Sequence, residues 1–378
     1  MTTGQQHTKA PSNGHAPGDG VPTGAGGDGA YVGALDHYLS KARRDAVKTM
    51  WEEPATRSFL ASVVDHLGED GGLRVFDVGC GTGDGLSLLL SMPGSQRWAL
   101  DRSGFQYVGI DLDDDLLDAA RRVHRAGYNA RFLHADIRTG IPTDPYDLYL
   151  SCGVPYSHLT PSELEETLVK IFAAARKNPS PAAVVIDVLG RYSIEWVPQW
   201  AHQRWAYSMS FFSTDKEATA TDMTFYDSES LRRLMVTAAD EAGCALDGTE
   251  FFDRAIMVGR HTATGHFNSG LRPYRRLVND LMNPEVDVRY EDLLFDVELG
   301  EAPPPVLDFF REFGHRWNAL VTSTRDLAAS MAPASGVDPA SVLQPMLAHG
   351  LERLEATSQP GLGVGHSLTG VAYTVGPA

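Results

Sequence analysis

Asp77 ends a short apolar run, and Gly79, Gly81 and Gly83 follow it at every second position in "VFDVGCGTGDG". Small residues let a backbone pass close to a ligand, and a turn that opens into a helix offers unpaired N–H groups. Spacing decides which ligand. The dinucleotide turn G-x-G-x-x-G seats a pyrophosphate on the helix start, and the phosphate loop closes on Lys followed by Ser or Thr. Here the interval is G-x-G-x-G, and no such Lys follows. A carboxylate beside the turn suits a ligand carrying an ammonium group and disfavours a diphosphate. Asp111 directly follows a second apolar run, "YVGID", where the ligand crevice of an open α/β sheet lies. Asp136 closes a third run, "ARFLHAD". His158, with Tyr156 beside it in "GVPYSHLT", is the best-placed general base, and hydrogen bonding within its own loop is its structural alternative. Cys80 and Cys152 read as small packing residues, Cys80 offering its backbone. Asp113, Asp114 and Asp115 read as a solvated helix start.

These residues need elements to hold them. "LRVFDVG", "QYVGID", "ARFLHAD", "YDLYLSCG" and "AAVVIDVLG" are strands, separated by amphipathic helices. That alternation predicts an α/β fold with a doubly wound, mostly parallel sheet. The helix at "TPSELEETLVKIFAAARKN" has Thr160 as N-cap, Pro161 in its first turn and Glu163 closing a capping box. Residues 1–30 are rich in Gly, Pro, Ser and Thr and are expected to be a disordered tail. Residues 31–72 are expected to be an N-terminal helical cap of two helices broken near Pro54. After Gly190 the rhythm breaks, and residues 191–226 carry Trp196, Trp200, Trp205, Tyr207, Phe211 and Phe212. This stretch is predicted to be an aromatic lid. "GTEFFDR" and "AIMVGRH" are predicted to close the sheet as antiparallel edge strands by residue 261. Residues 262–378 are left as a mainly helical appendix without a chemical motif.

The motif order resembles the class I S-adenosylmethionine-dependent methyltransferases of small-molecule type. "VFDVGCGTG" looks like their first motif, "YVGIDLDDDLL" their second, "FLHADI" their third and "YDLYLSCGVPYSHL" their fourth. The resemblance covers residues 73–261 and implies a seven-stranded, Rossmann-like sheet. It also implies S-adenosylmethionine as cofactor. In that reading Asp77, Gly79, Cys80, Gly81 and Gly83 hold its amino-acid end, and Asp111 with Leu112 takes the ribose. Asp136 and Ile137 meet the adenine, and Ser151 stands beside the transferring methyl. Family members carry a histidine or tyrosine near the loop of His158 and Tyr156. An insertion of the kind seen at 191–226 often covers the acceptor. Arg191, Tyr192, Trp196, Trp200 and Tyr207 are therefore expected to bind it, with Glu195, His202 and Arg204 orienting its polar groups. Packing of these aromatics onto the C-terminal appendix, or a contact in a homodimer, is the competing role. The interval from Gly83 to Asp111 is longer than usual, because "PGSQRWALDRSGF" is inserted before the second strand.

Charge narrows the acceptor. The chain has 32 Lys and Arg against 49 Asp and Glu, a formal net charge of −17. Such a surface disfavours nucleic acid and anionic membranes. "SCGVPY" departs from the strand-four motif of adenine and cytosine methylases, and "GVPYSHLT" lacks the paired glutamates of protein arginine methylases. No acidic cluster for a metal can be assembled. A small molecule from bacterial specialised metabolism is the expected acceptor, methylated at O, N or C. Three scattered cysteines and the absence of an apolar leader or membrane span fit a cytoplasmic location. The alternatives are non-methylating chemistry on the same cofactor, such as a cyclase or an aminopropyl transferase, a macromolecule methylase, and a non-enzymatic module.

Overall fold

The structure is a computed structural model, and it describes residues 44–68, 72–92, 104–125, 129–208, 220–283, 285–331 and 338–376. The expected tail at 1–30, the start of the helical cap, and Phe211 and Phe212 lie outside them.

Five parallel strands carry the motifs: β1 (Arg74–Val78), β2 (Gln106–Asp111), β3 (Ala130–His134), β4 (Leu148–Leu150) and β5 (Ala183–Gly190). They lie in the order β3-β2-β1-β4-β5. β5 is buried along its whole length, as expected of a strand covered on both faces. The register sets Asp77 opposite Gly109 and Leu150, and Asp111 opposite His134, so the motif acids gather at the carboxyl ends of neighbouring strands. Helices α1 (Glu53–His66), α2 (Asp84–Leu90), α3 (Asp114–Val123) and α4 (Pro161–Ala175) complete this half. The α4 capping box forms as read: the Thr160 side chain accepts from the Glu163 N–H, and Glu163 reaches back to Thr160. Asp113 is the N-cap of α3, accepting from Asp115 and Leu116 N–H groups.

Pro54 does not break the cap in two. It sits in the first turn of α1, and a π-turn at Lys48–Glu52 runs into that helix with helical dihedrals maintained. The wider turn absorbs the mismatch that a proline brings to the hydrogen-bond ladder.

The far side of the sheet departs further from expectation. β6 (Arg204–Ser208) and β7 (Ala220–Tyr226) form an antiparallel pair within the predicted lid, and β7 joins β5 only through Leu189 and Gly190. α5 (Ser228–Ala242) leads to β8 (Leu246–Arg254). Its neighbour is β9 (Ser367–Thr374), which lies antiparallel between β5 and β8. The sheet is thus closed by the end of the chain, where a helical appendix was expected, and "AIMVGRH" is not a strand. Ala255 takes a left-handed φ of 56°, turning the chain off the sheet. Beyond it the N–H groups of Ile256 and Met257 donate to the Glu355 carboxylate, each at 3.0 Å, instead of to a ladder.

The remaining helices are α6 (Tyr274–Leu281), α7 (Pro304–Met331) and α8 (Pro339–Ala356). They enclose a second apolar core built on Trp196, Trp200, Tyr274, Phe310 and Trp317. α6 is tied to the N-terminal segment by Arg275, whose guanidinium bonds Asp45 at 2.7 and 2.8 Å and Glu52 at 2.7 Å.

Candidate active site

A cavity of about 1160 Å³ opens along the carboxyl ends of β1, β2, β4 and β5 and reaches the lid pair β6–β7 and the start of β9. Its first half holds the glycine turn. Gly79, Gly81 and Gly83 all have left-handed φ, at 67°, 50° and 83°. A side chain at Gly79 would collide with Pro155, and one at Gly83 with His124, whereas a Cβ at Gly81 meets nothing and would point into open space. Asp111 fixes the turn from the next strand: one carboxylate oxygen accepts the Gly81 N–H at 2.8 Å, the other the Asp113 N–H at 3.0 Å. Burial raises its pKa, partly offset by those N–H groups. Asp136 reaches the cavity wall while chelated by Arg138 at 2.5 to 3.0 Å, which keeps its carboxyl below the usual range.

Of the predicted cofactor contacts, Gly79, Cys80, Gly81, Asp111, Leu112, Asp136 and Ile137 line the cavity. Asp77, Gly83 and Ser151 stand behind it. Asp77 is buried beneath the turn, one oxygen accepting the Tyr107 hydroxyl and the other without a hydrogen-bond partner. Burial pushes its carboxyl up to about 7. Ser151 clips β4 to β5, accepting the Asp187 N–H at 2.9 Å and donating to Val185 at 3.3 Å.

The loop after β4 is held by a buried acid that no motif announced. Asp187 on β5 accepts from the N–H groups of Gly153 and Val154 at 2.8 and 3.3 Å, from Thr369 at 3.0 Å and from Arg254 at 2.5 Å. Val154 is left-handed at φ 62°, a costly state for a β-branched residue that this clamp sustains. The loop continues as a short 3-10 turn, Pro155–His158, which presents His158 to the cavity and turns Tyr156 away. Tyr156 is wholly buried with an unpartnered hydroxyl, and burial raises that phenol far above its ordinary range. It is not placed to exchange a proton with an acceptor. Burial and the nearby Arg204 push the His158 imidazole down to about 4.

The lid aromatics pack inward. Trp196 donates to the Gly190 carbonyl at 3.0 Å, and Trp200 donates to the Ser193 carbonyl at 2.9 Å while stacking on Phe310 of α7. Tyr192 lies edge-on to Trp200, and Arg191 bonds the Trp200 carbonyl at 3.2 Å. These four do not line the cavity; Tyr207 does, together with Arg204 and Met223. Large aromatic surfaces gain most where water is excluded, so the competing role of packing onto the C-terminal helices is the one the structure adopts.

Sequence reasoning missed Arg254, Arg260 and His366 at the second half of the wall, and Arg44, Lys48, Glu52 and Arg57 beside the glycine turn. No local pattern marks them, because each reaches the cavity through long-range packing. No helix among the described residues is long and apolar enough to cross a membrane.

Residues 75–178 match the profile of a family described as a methyltransferase domain. No curated protein sequence matches the chain. Among solved structures it is similar to an S-adenosylmethionine-dependent methyltransferase from Mesorhizobium loti, at 17% identity over 50% of this chain and 82% of that one, with a TM-score of 0.35. It is also similar to the S-adenosylmethionine-bound amino pentose methyltransferase from Micromonospora echinaspora involved in calicheamicin biosynthesis, at 16% identity over 52% and 84%, TM-score 0.36. A third is the putative methyltransferase of Haloferax volcanii in complex with its Trm112 methyltransferase activator, at 15% identity over 92% and 96%, TM-score 0.40. The matched stretch, a methyltransferase domain by that profile, holds the glycine turn, Asp111 and Asp136.

Proposed function

We propose that the acceptor is a small molecule, methylated at O, N or C beside the cofactor in this cavity, in bacterial specialised metabolism. The cavity volume carries this reading. At about 1160 Å³ it exceeds the roughly 300–1,000 Å³ that a single drug-sized ligand occupies. It runs from the glycine turn to Tyr207, Met223 and His366, leaving room for a second ligand.

The residues fit the cofactor. Gly81 leaves space at the turn for a close ligand. The Asp111 carboxylate, already holding two N–H groups, has lone pairs left for ribose hydroxyls. Leu112 and Ile137 supply apolar surface on the same wall. When bound, S-adenosylmethionine supplies an electrophilic methyl on sulfonium, so the chain's own work is to align the acceptor and exclude water. His158, neutral at physiological pH, serves as a hydrogen-bonding wall group. Arg204 and Tyr207 orient the acceptor from β6. The net charge of −17 speaks against a nucleic-acid acceptor.

The test is to incubate the full chain with methyl-labelled S-adenosylmethionine and a bacterial extract, then separate macromolecules from small molecules by ultrafiltration. Label in the small-molecule fraction supports the reading. Label confined to protein or nucleic acid refutes it.

A further inference from the structure

Three histidines line the cavity, His134, His158 and His366, and the last two stand in opposite electrostatic settings. His158 has the Arg204 guanidinium nearby. His366, in the turn before β9, has a carboxylate: its Nδ1 lies 2.5 Å from Glu195 Oε2. Glu195 stands 171 positions earlier, in the 3-10 turn Ile194–Gln199 after β5, and its side chain is fully buried. Its other oxygen accepts the backbone N–H of His261, and the Ser193 hydroxyl lies 3.4 Å from Oε2. Gly259 makes room for it, since any Cβ there would collide with the carboxylate.

This pairing sets the tautomer. A carboxylate at Nδ1 keeps the proton on that nitrogen and leaves Nε2 with its lone pair. Nε2 makes no hydrogen bond with the described residues, and the ring is part of the cavity wall. Other polar groups close to the ring are His261, its ring centroid 6.2 Å away, and Tyr207, whose hydroxyl lies 2.7 Å from His261 Nε2. Arg254 and Arg260 share the cavity wall, Arg254 being paired with Asp187. Burial opposes ionisation of Glu195, but His366 and His261 outweigh it and hold the carboxyl below its usual range.

We propose that His366 is the general base of the transfer and Glu195 its positioning residue, so that the acceptor is a protic nucleophile, a hydroxyl or an amine. The inference rests on the methyl-transfer reading above. As the acceptor's bond to carbon forms, its O–H or N–H bond breaks and the proton goes to Nε2. The electron pair of the severed S–C bond stays on sulfur, discharging the sulfonium. The imidazolium is stabilised by Glu195 and returns its proton to water. No oxidant or metal is needed.

The experiment uses the full chain with S-adenosylmethionine and the small-molecule fraction of an extract, following methylated product by mass from pH 5 to 9. His366→Asn should lower turnover by about 10²–10⁴-fold. Its melting transition and its affinity for S-adenosylhomocysteine, read by calorimetry, should stay near wild type. Added imidazole should partly restore His366→Gly, which a merely structural histidine would not allow. Glu195→Gln should shift the acidic limb of the wild-type profile to lower pH; if that buried variant does not fold, His366→Asn and the imidazole rescue decide alone. A full rate and unchanged pH profile in His366→Asn would overturn the assignment, as would an aprotic acceptor such as a thioether. Absence of any methylated small molecule from the wild type would instead strike the functional reading, and this assignment with it.

Discussion

Asp111 does two jobs with one carboxylate, pinning the glycine turn through Gly81 and opening α3 through Asp113. Hydrogen bonds to a charged group contribute about 1.5–3 kcal/mol each. Asp111→Ala should therefore weaken S-adenosylhomocysteine binding by at least about 100-fold in calorimetry, and unchanged affinity would misplace the cofactor. At this scale the sequence was legible as placement: Gly81, Asp111 and Asp136 were expected at one crevice, and all three stand on the cavity wall. It was not legible where direction matters. Trp196 and Trp200 look the same in a sequence whether they face a ligand or a core, and here each indole N–H is spent on a backbone carbonyl. His366 and Glu195 could not be joined by any local pattern, because only the fold brings together positions 171 apart.

At the scale of elements, two buried side chains hold the C-terminal helices to the rest. Arg275 on α6 bonds Asp45, Glu52 and the Val258 carbonyl. Removing one member of such a buried network leaves the others uncompensated, at about 3–5 kcal/mol. Arg275→Met should lower stability by that order in chemical denaturation; a change within about 0.5 kcal/mol would show that the N-terminal segment is held by other contacts. Glu355 on α8 is the second, its carboxyl pushed by burial up to about 7. A carboxyl whose folded pKa is raised holds its proton more tightly in the folded state. Its contribution therefore becomes less favourable as pH climbs from about 4.5 to about 7. Glu355→Gln should remove that slope, so that stability relative to wild type rises across this window by about 1–3 kcal/mol. A constant difference would show that Glu355 does not titrate there. The same residue explains the misread strand at 255–261. Its apolar composition suits β pairing, but the N–H groups of Ile256 and Met257 are claimed by a helix about a hundred positions away.

At the scale of the molecule, the strand that completes the sheet arrives last. β1 to β5 were legible because each is a short apolar run closed by a turn signal, and their order follows from the motifs they carry. β9 was not, because "SLTGVAYT" follows helices and belongs between β5 and β8, far from both in the chain. Its eight residues are all buried. A chain ending at residue 365 would lose β9 and His366 together, leaving β8 without its partner and β5 without its antiparallel neighbour. It should lose its cooperative melting transition altogether. A truncated chain that melts like the full one would mean that the sheet closes without β9.

The central claim, methyl transfer to a small molecule in a shared cavity, is tested most directly by identifying both products of one turnover. The full chain, given S-adenosylmethionine and a small-molecule extract, should release S-adenosylhomocysteine in step with an acceptor heavier by one methylene. Asp111→Ala should release neither. Release of methylthioadenosine with an aminopropylated product, or cofactor consumption with no methylated small molecule, would contradict the account.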